Sequence, residues 1–574
     1  MPVSLDATDL QTLHIVEISA VFTLTFGAAA LWFPGAADKF FRGIERAVSR
    51  FARSKRLAAI TLFLSVIVLR LLALPLLHVP VPGIHDEFSY LLMGDTFAHG
   101  RLANPPHPMW ISFETFHVNW LPNYASMYPP AQGFPLALGQ VLGHPWIGVL
   151  LIDAAMCAAI LWMLQGWLPA RWAFLGAALA ALKLGIASYW MNSYWGGAAA
   201  AMGGAMVLGA LPRIARRARI GDVILLGLGI AILANSRPYE GFLFCIPAAL
   251  WIAWWLSGKN RWPKPLRIRL GQVLLPLTAM LLLTAAFMGY YNWRLTGNAL
   301  LLPHVLNTRT YRSTGIFLWD HKKPEMHYAN QQFEEFYNGW ERNNYNNTWP
   351  DVVRVSEEKL VRYGLTYFWI GELLALPAIP YLFRNGKTRL LLVTFLLVSV
   401  GVFAVIWSNA HYAAPLTCVV FALGVQAIRY TRTMQIGTRP AGVALARAIV
   451  LLLVLDTGIN VARGVCDPLL WPCEGDPSRV TIADKLAHMP GNHLIMVRYE
   501  KDNHNIHDEW VYNGAEIDSA KVLWARELDA DQNAKLFDYF KDRKIWLVTP
   551  DSDNTYLEPY TPPDIPTADG SGNQ

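Results

Sequence analysis

Long apolar runs alternate with short polar turns over most of this 574-residue chain, a pattern expected of helices crossing a bilayer. Runs of about 17–25 apolar residues, enough to span the hydrocarbon layer, fall near 12–34, 57–77, 145–167, 172–190, 195–212, 220–236, 241–257, 271–293, 363–383, 388–406, 411–428 and 443–461. They predict about twelve transmembrane helices and a mainly α, polytopic membrane fold. Three long polar stretches stand apart, at 78–140, 294–362 and 462–574. The last reads as a small soluble α/β domain. Asp476-Pro477 opens a helix that Pro490-Gly491 ends, strands follow near 494–499, 521–526 and 545–549, and Leu536, Phe537 and Phe540 mark a helix over 531–541. Trp510, Tyr512 and Asp518 of that domain form no recognisable site. No repeat of fixed period is found, and the only biased segment is the polar end after Pro562.

Basic residues orient the spans. Clusters at 38–56, 213–219, 259–269, 384–389 and 429–447 all fall on one side of a twelve-span chain, which is therefore the cytoplasmic side. The two large loops, the turns at 191–194, 236–241 and 407–411, and the tail then share the outer face. The expected organisation is an extra helix with a basic loop (1–56), a membrane module (57–293) containing the first outer loop 78–140, a second outer loop (294–362), further membrane helices (363–461) and the outer α/β domain (462–574). Composition agrees: 54% hydrophobic and 16% charged, against about 25% charged in soluble proteins. The net charge of +6 lies in topology-setting clusters and does not imply nucleic acid. Cys157, Cys245 and Cys418 sit in apolar runs as packing residues, whereas Cys466 and Cys473 are placed for a disulfide in an oxidising compartment. The first apolar run follows acidic residues with no basic segment before it, unlike a cleaved signal peptide.

Candidate chemistry concentrates at the outer ends of the spans. The stretch GIHDEFSYLLMGDTFAHGRLANPPHPMWISFE (83–114) puts Asp86 and Glu87 a few residues beyond an apolar run. Asp86 as a helix N-cap, with Glu87 at the positive end of the dipole, is the structural reading. Partial desolvation at the interface, tuning a carboxylate for general-base work, is the functional one. Lys183 lies within a span, where a charge is a functional candidate unless it snorkels. Arg237, in the turn Asn235-Ser236-Arg237-Pro238-Tyr239-Glu240, has the fork geometry to hold a phosphate or else pairs with Glu240. Asn192, Tyr194 and Trp195 form another polar-aromatic turn, and Asn409, His411 and Tyr412 a third. His85, His99 and His107 lack diagnostic metal spacing. The aromatic and Asn-rich loop 294–362, entered through Tyr290, Tyr291 and Asn292, suits stacking on sugar rings and equally an interfacial belt. No Walker loop, GxGxxG, GxSxG or paired CxxC motif stands out.

Together these features resemble the GT-C superfamily of membrane glycosyltransferases, which includes protein O-mannosyltransferases and aminoarabinose transferases. HDEFSYLLMGDTFAHGRL after an early span is similar to that family's first outer loop with its acidic motif. Leu295-Thr296-Gly297-Asn298 with Pro303 resembles the start of its second, and the Arg237 turn and Asn409-Ala410-His411-Tyr412-Ala413-Ala414-Pro415 are similar to elements of bacterial members. The resemblance covers roughly residues 57–430; the first span and the α/β tail depart from it. It implies an inverting transfer of a sugar from a polyprenyl-phosphate carrier to a hydroxyl acceptor in the cell envelope (glycan, lipid or protein). The implied place is the outer face of a bacterial inner membrane. In that reading Asp86 is the general base, Glu87 orients the acceptor or substitutes as base, and Arg237 and Lys183 stabilise the departing phosphate. His85, Tyr194, Tyr239, Glu240, Asn292, His411 and Tyr412 complete the expected substrate-binding set. No cofactor is specified, and divalent-metal assistance beside His85 stays open. The rival is a transporter or flippase of lipid-linked glycans without transferase activity; a catalytically silent member whose tail binds a partner is a third reading.

Overall fold

A computed structural model describes residues 7–258, 264–344, 348–386, 388–435, 441–464, 477–500, 504–551 and 557–561. Cys466, Cys473, Asp476 and the polar end after Pro562 lie outside the described residues, so their expected roles do too. The apolar runs fold as helices. Six are long and apolar enough to cross a membrane: Pro145–Trp167, Ala198–Arg217, Pro238–Leu256, Leu266–Thr296, Ala410–Thr431 and Ala441–Ala462. Glu17–Trp32, Ile220–Ala234 and Arg389–Ala404 are shorter apolar helices. Lipid-type surfaces are evident where Leu282 and Leu283 stand exposed on the outside of the bundle. The chain is thus built as a multi-pass membrane protein.

The expectation of about twelve full-length spans is not reproduced as such. Length and composition give six among the described residues, or seven if one bent pair is a single span. The helix Lys55–Leu72 carries Lys55, Arg56 and Arg70, and Ala170–Leu184 has only 15 residues. The run near 363–383 is not straight: Trp349–Tyr367 and Ile370–Arg384 meet at 94°. Phe368 and Trp369 are extended at the corner. The first arm bears Glu357, Glu358, Lys359 and Arg362, side chains that hydrocarbon penalises, and its polar face turns towards a cavity instead.

Close packing seats the first outer loop on the bundle. Helix Gly133–Val141 lies against Pro145–Trp167 so tightly that a Cβ at Gly148 would stand 1.8 Å from the carbonyl oxygen of Pro135. The amide of Ala131 donates to the carbonyl of Asn235 (2.8 Å), tying that loop to the Arg237 turn. Buried Arg70 donates to the carbonyls of Leu77 and His78 and to Asn192 Oδ1, each at 2.8 Å, which fixes the chain where it leaves the helix.

The tail folds as an α/β unit. Its sheet runs in the order Val522–Arg526, Asn492–Val497, Arg543–Val548, Leu557–Pro559; the first three strands are parallel and the last antiparallel. Helix Pro477–Ala487 precedes Asn492–Val497, and Ala530–Tyr539 is the crossover between Val522–Arg526 and Arg543–Val548. Leu494, Met496, Leu523 and Leu547 from the sheet share one core with Phe88, Phe113 and Trp120 of the first outer loop. Phe88 stacks on Tyr512 with ring centres 4.3 Å apart. Asp95 accepts from the amide of Ala515 (2.6 Å), His107 Nε2 lies 3.0 Å from Asp518 Oδ1, and Arg101 pairs with Glu516. Asp95, Arg101 and His107 of the 83–114 stretch therefore dock the tail.

Candidate active site

Helix His85–Ala98 starts where Pro80 and Pro82 end an extended passage, with Ile84 (φ −125°, ψ 157°) as its N-cap residue. Asp86 is not the cap. That task falls to Glu87, whose carboxylate accepts from the amides of Gly83 (2.9 Å) and Ile84 (3.4 Å), the reach-back half of a capping box. Its other oxygen accepts from the amide of Tyr194 (3.0 Å). Burial pushes the Glu87 carboxyl up to about 7, against the pull of those three amides. With both oxygens engaged and the side chain buried, Glu87 is outside the cavity wall.

Asp86, one residue earlier on the helix, points the other way, into a cavity of about 580 Å³. Its carboxylate accepts a hydrogen bond from the hydroxyl of Tyr128. His117 Nδ1 lies 3.0 Å from that hydroxyl and 3.7 Å from Asp86 Oδ2. Tyr128 is held by a stack on Tyr90 at 4.3 Å. His117 adopts a left-handed backbone (φ 61°), and its carbonyl accepts from Ser89 Oγ at 2.7 Å. Burial lowers the His117 pKa, opposed in part by Asp86. Sequence reasoning passed over His117 and Tyr128. They reach Asp86 through the two-residue ladder Val118–Asn119 against Ala125–Ser126, too short to leave a periodic signal.

Arg237 faces the same cavity from the N-terminal end of helix Pro238–Leu256. Its guanidinium lies over the Tyr412 ring, 4.1 Å from the centroid. Among the described residues it makes no side-chain hydrogen bond or ion pair, with Glu240 or with any other group. Tyr239, Glu240, Asn292 and Tyr412 also line the cavity, as does His85. His85 stacks on Phe116 at 4.3 Å, and burial holds its pKa well below the usual range, so it stays neutral. The Tyr239 hydroxyl donates to the carbonyl of Gly401 (3.2 Å) and Asn292 Nδ2 to that of Ala299 (3.1 Å).

Besides Glu87, three expected site residues lie elsewhere. Lys183 is off the cavity wall, its ammonium 5.0 Å from the centre of the Trp369 ring. Tyr194 spends its hydroxyl on the carbonyl of Pro80 (2.7 Å) and is buried. His411 is buried between Trp195 (ring centres 4.5 Å apart) and Tyr189, whose hydroxyl is 3.1 Å from Nδ1; it seats the residue next to it, Tyr412. The cavity gains residues instead from the second outer loop and from the helix Trp349–Tyr367: His304, Arg312, Trp340, Glu341, Lys359 and Arg362. Arg362 donates to Asn409 Oδ1 (2.6 Å) and Arg312 pairs with Glu341 (2.6 Å). Among the described residues no three His, Cys, Asp or Glu side chains are grouped to hold a metal ion.

No family model matches the chain, and no curated protein matches it. Among solved structures it is similar to the Archaeoglobus fulgidus oligosaccharyltransferase tethered with an acceptor peptide (12% identity, TM-score 0.41, 85% of this chain and 69% of that one). It is also similar to ArnT from Cupriavidus metallidurans, in the apo state (13% identity, TM-score 0.46, 85% and 92%) and bound to undecaprenyl phosphate (13% identity, TM-score 0.44, 85% and 92%).

Proposed function

We propose that this chain is an inverting glycosyltransferase of the GT-C kind, with about twelve spans, in a bacterial inner membrane. It moves a sugar from a polyprenyl-phosphate carrier to an acceptor hydroxyl on the outer face. The observation that carries the reading is the shared cavity: the Asp86 carboxylate and the Arg237 guanidinium, which has no hydrogen-bonded or ion-paired partner among the described residues, line a single space of about 580 Å³. That volume is in the usual range for small-molecule sites.

The chemistry divides between them. Asp86 takes the proton of the acceptor hydroxyl as that oxygen bonds to the anomeric carbon. The bond from the anomeric carbon to the phosphate oxygen breaks, its electron pair stays on the phosphate, and Arg237 stabilises the charge that grows there. Displacement from the far side inverts the anomeric carbon. The Tyr128 hydrogen bond and the His117 ring fix the carboxylate for its task, and Glu87 holds the helix start that aims it. Lys183 has no part in this scheme, since its ammonium sits on Trp369.

The test uses the purified full chain in nanodiscs with undecaprenyl-phosphate-linked hexoses and an envelope acceptor fraction. Release of undecaprenyl phosphate, with a product of opposite anomeric configuration, is expected. A sugar-lipid that changes leaflet with its phosphate–sugar bond intact would establish the transporter instead.

A further inference from the structure

The part of the cavity nearest the tail has a chemistry that the base and the phosphate group leave unused. Residues Glu334–Glu341 form a π-helical segment, a wide turn with i→i+5 bonding that is rare and frequent at functional sites. Its widened turn puts Phe336, Tyr337, Trp340 and Glu341 all on the cavity wall. Trp340 stacks near-parallel on Trp407 (5.1 Å, 21°), and His507 from the C-terminal unit stands edge-on to it (4.7 Å, 90°). Beside this platform runs the Arg312–Glu341 pair. Glu341 is 5% exposed, yet among the described residues its Oε2 has no hydrogen-bond partner, and neither have Arg312 Nε and Trp407 Nε1.

A flat aromatic surface flanked by a planar carboxylate, a planar guanidinium and an indole N–H matches a sugar ring. The apolar C–H face of a pyranose or furanose lies on the indole, while its ring-plane hydroxyls donate to the carboxylate and accept from the guanidinium and indole. Phosphate would meet Glu341 as a like charge, and an acyl chain would leave the buried polar atoms unpaired, which costs the desolvation of each. Phe336 also touches His85 (ring centres 5.5 Å apart), the residue preceding Asp86, so a ring held here lies on the side of the general base. We propose that Trp340, Trp407, Phe336, Arg312, Glu341 and His507 form an acceptor subsite for a carbohydrate ring, so that the hydroxyl Asp86 deprotonates belongs to a glycan. This rests on the transferase reading for the word acceptor, but the binding itself does not.

The experiment measures binding in the absence of turnover. Saturation-transfer NMR on the full chain in nanodiscs is run with short neutral oligosaccharides (mannan, glucan and arabinan fragments), and separately with an undecaprenyl-phosphate-linked hexose. At least one free oligosaccharide binds the wild type. Trp340→Ala and Glu341→Gln weaken it by about tenfold or more, the scale of one lost aromatic or charged contact, while lipid-linked hexose binding changes by less than about twofold. Trp340→Phe, which keeps the platform, restores affinity to within about threefold and excludes misfolding as the cause. Failure of every oligosaccharide to bind, or binding untouched by Trp340→Ala, overturns the subsite. Loss confined to the lipid-linked hexose gives the ring to the donor and overturns the acceptor assignment. Asp86→Asn separates the two ideas: oligosaccharide binding persists in that variant whether or not the chain is a transferase.

Discussion

Adjacent carboxylates divide their work by the direction in which one helix turn points them. Asp86 faces the cavity and Glu87 faces the bundle, where it caps its own helix and holds the Tyr194 turn. Glu87→Gln keeps size but replaces an acceptor oxygen with a donor, so one of the three amides loses its partner and stability falls by about 1–3 kcal/mol. The pH dependence has a definite sign. A carboxyl whose folded pKa is raised from 4.5 to about 7 binds more protons folded than unfolded, so its contribution is complete below pH 4.5 and is lost as pH rises to about 7. Thermal unfolding of the wild type in nanodiscs should therefore show stability falling across that window, and Glu87→Gln should flatten the slope. An unchanged slope would mean that Glu87 is not the buried group titrating there. Arg237 belongs to the opposite class. Because no ion pair among the described residues ties it down, Arg237→Ala should leave the melting temperature within a few degrees of the wild type while weakening undecaprenyl-phosphate binding by about tenfold or more, the loss of one charge-assisted fork. A parallel fall in stability would assign it a structural role.

At the scale of elements, the apolar periodicity placed the helices and the tail's strands because both are local signals. The strand near 494–499 and the helix over 531–541 appear as Asn492–Val497 and Ala530–Tyr539. Junctions between distant elements leave no such trace. In the sequence His107 stands only as a candidate metal ligand, yet with Asp95 and Trp120 it forms the seat of the C-terminal unit, whose contacts lie some four hundred positions away. The same limit hid His117 and Tyr128, and it made Lys183 look functional when a tryptophan from a bent helix receives its charge. Phe88 is the keystone of the seat, stacked on Tyr512 and lying under the guanidinium of Arg479 at 4.8 Å. Phe88→Ala should cost about 3–5 kcal/mol and loosen that junction. Hydrogen exchange should then quicken in strands 492–497 and 522–526 while helix 145–167 stays protected; equal protection throughout would mean the tail is held by other contacts.

For the whole molecule, the loops 78–140 and 294–362 and the tail enclose one space from three sides. The first outer loop supplies Asp86, the hairpin before Pro238–Leu256 supplies Arg237, and the second loop with the tail supplies Trp340 and His507. The orientation proposed from the basic clusters is open to direct test. Single cysteines introduced at Asp518 and at Arg217 should differ, the first labelled by a membrane-impermeant maleimide in intact cells and the second only after permeabilisation. The central claim is chemical and turns on one carboxylate. Under single-turnover conditions with an undecaprenyl-phosphate-linked hexose and its acceptor, Asp86→Asn, with donor binding intact, should lower the transfer rate by about 10²–10⁴-fold. Transfer at the wild-type rate from that variant would contradict the account.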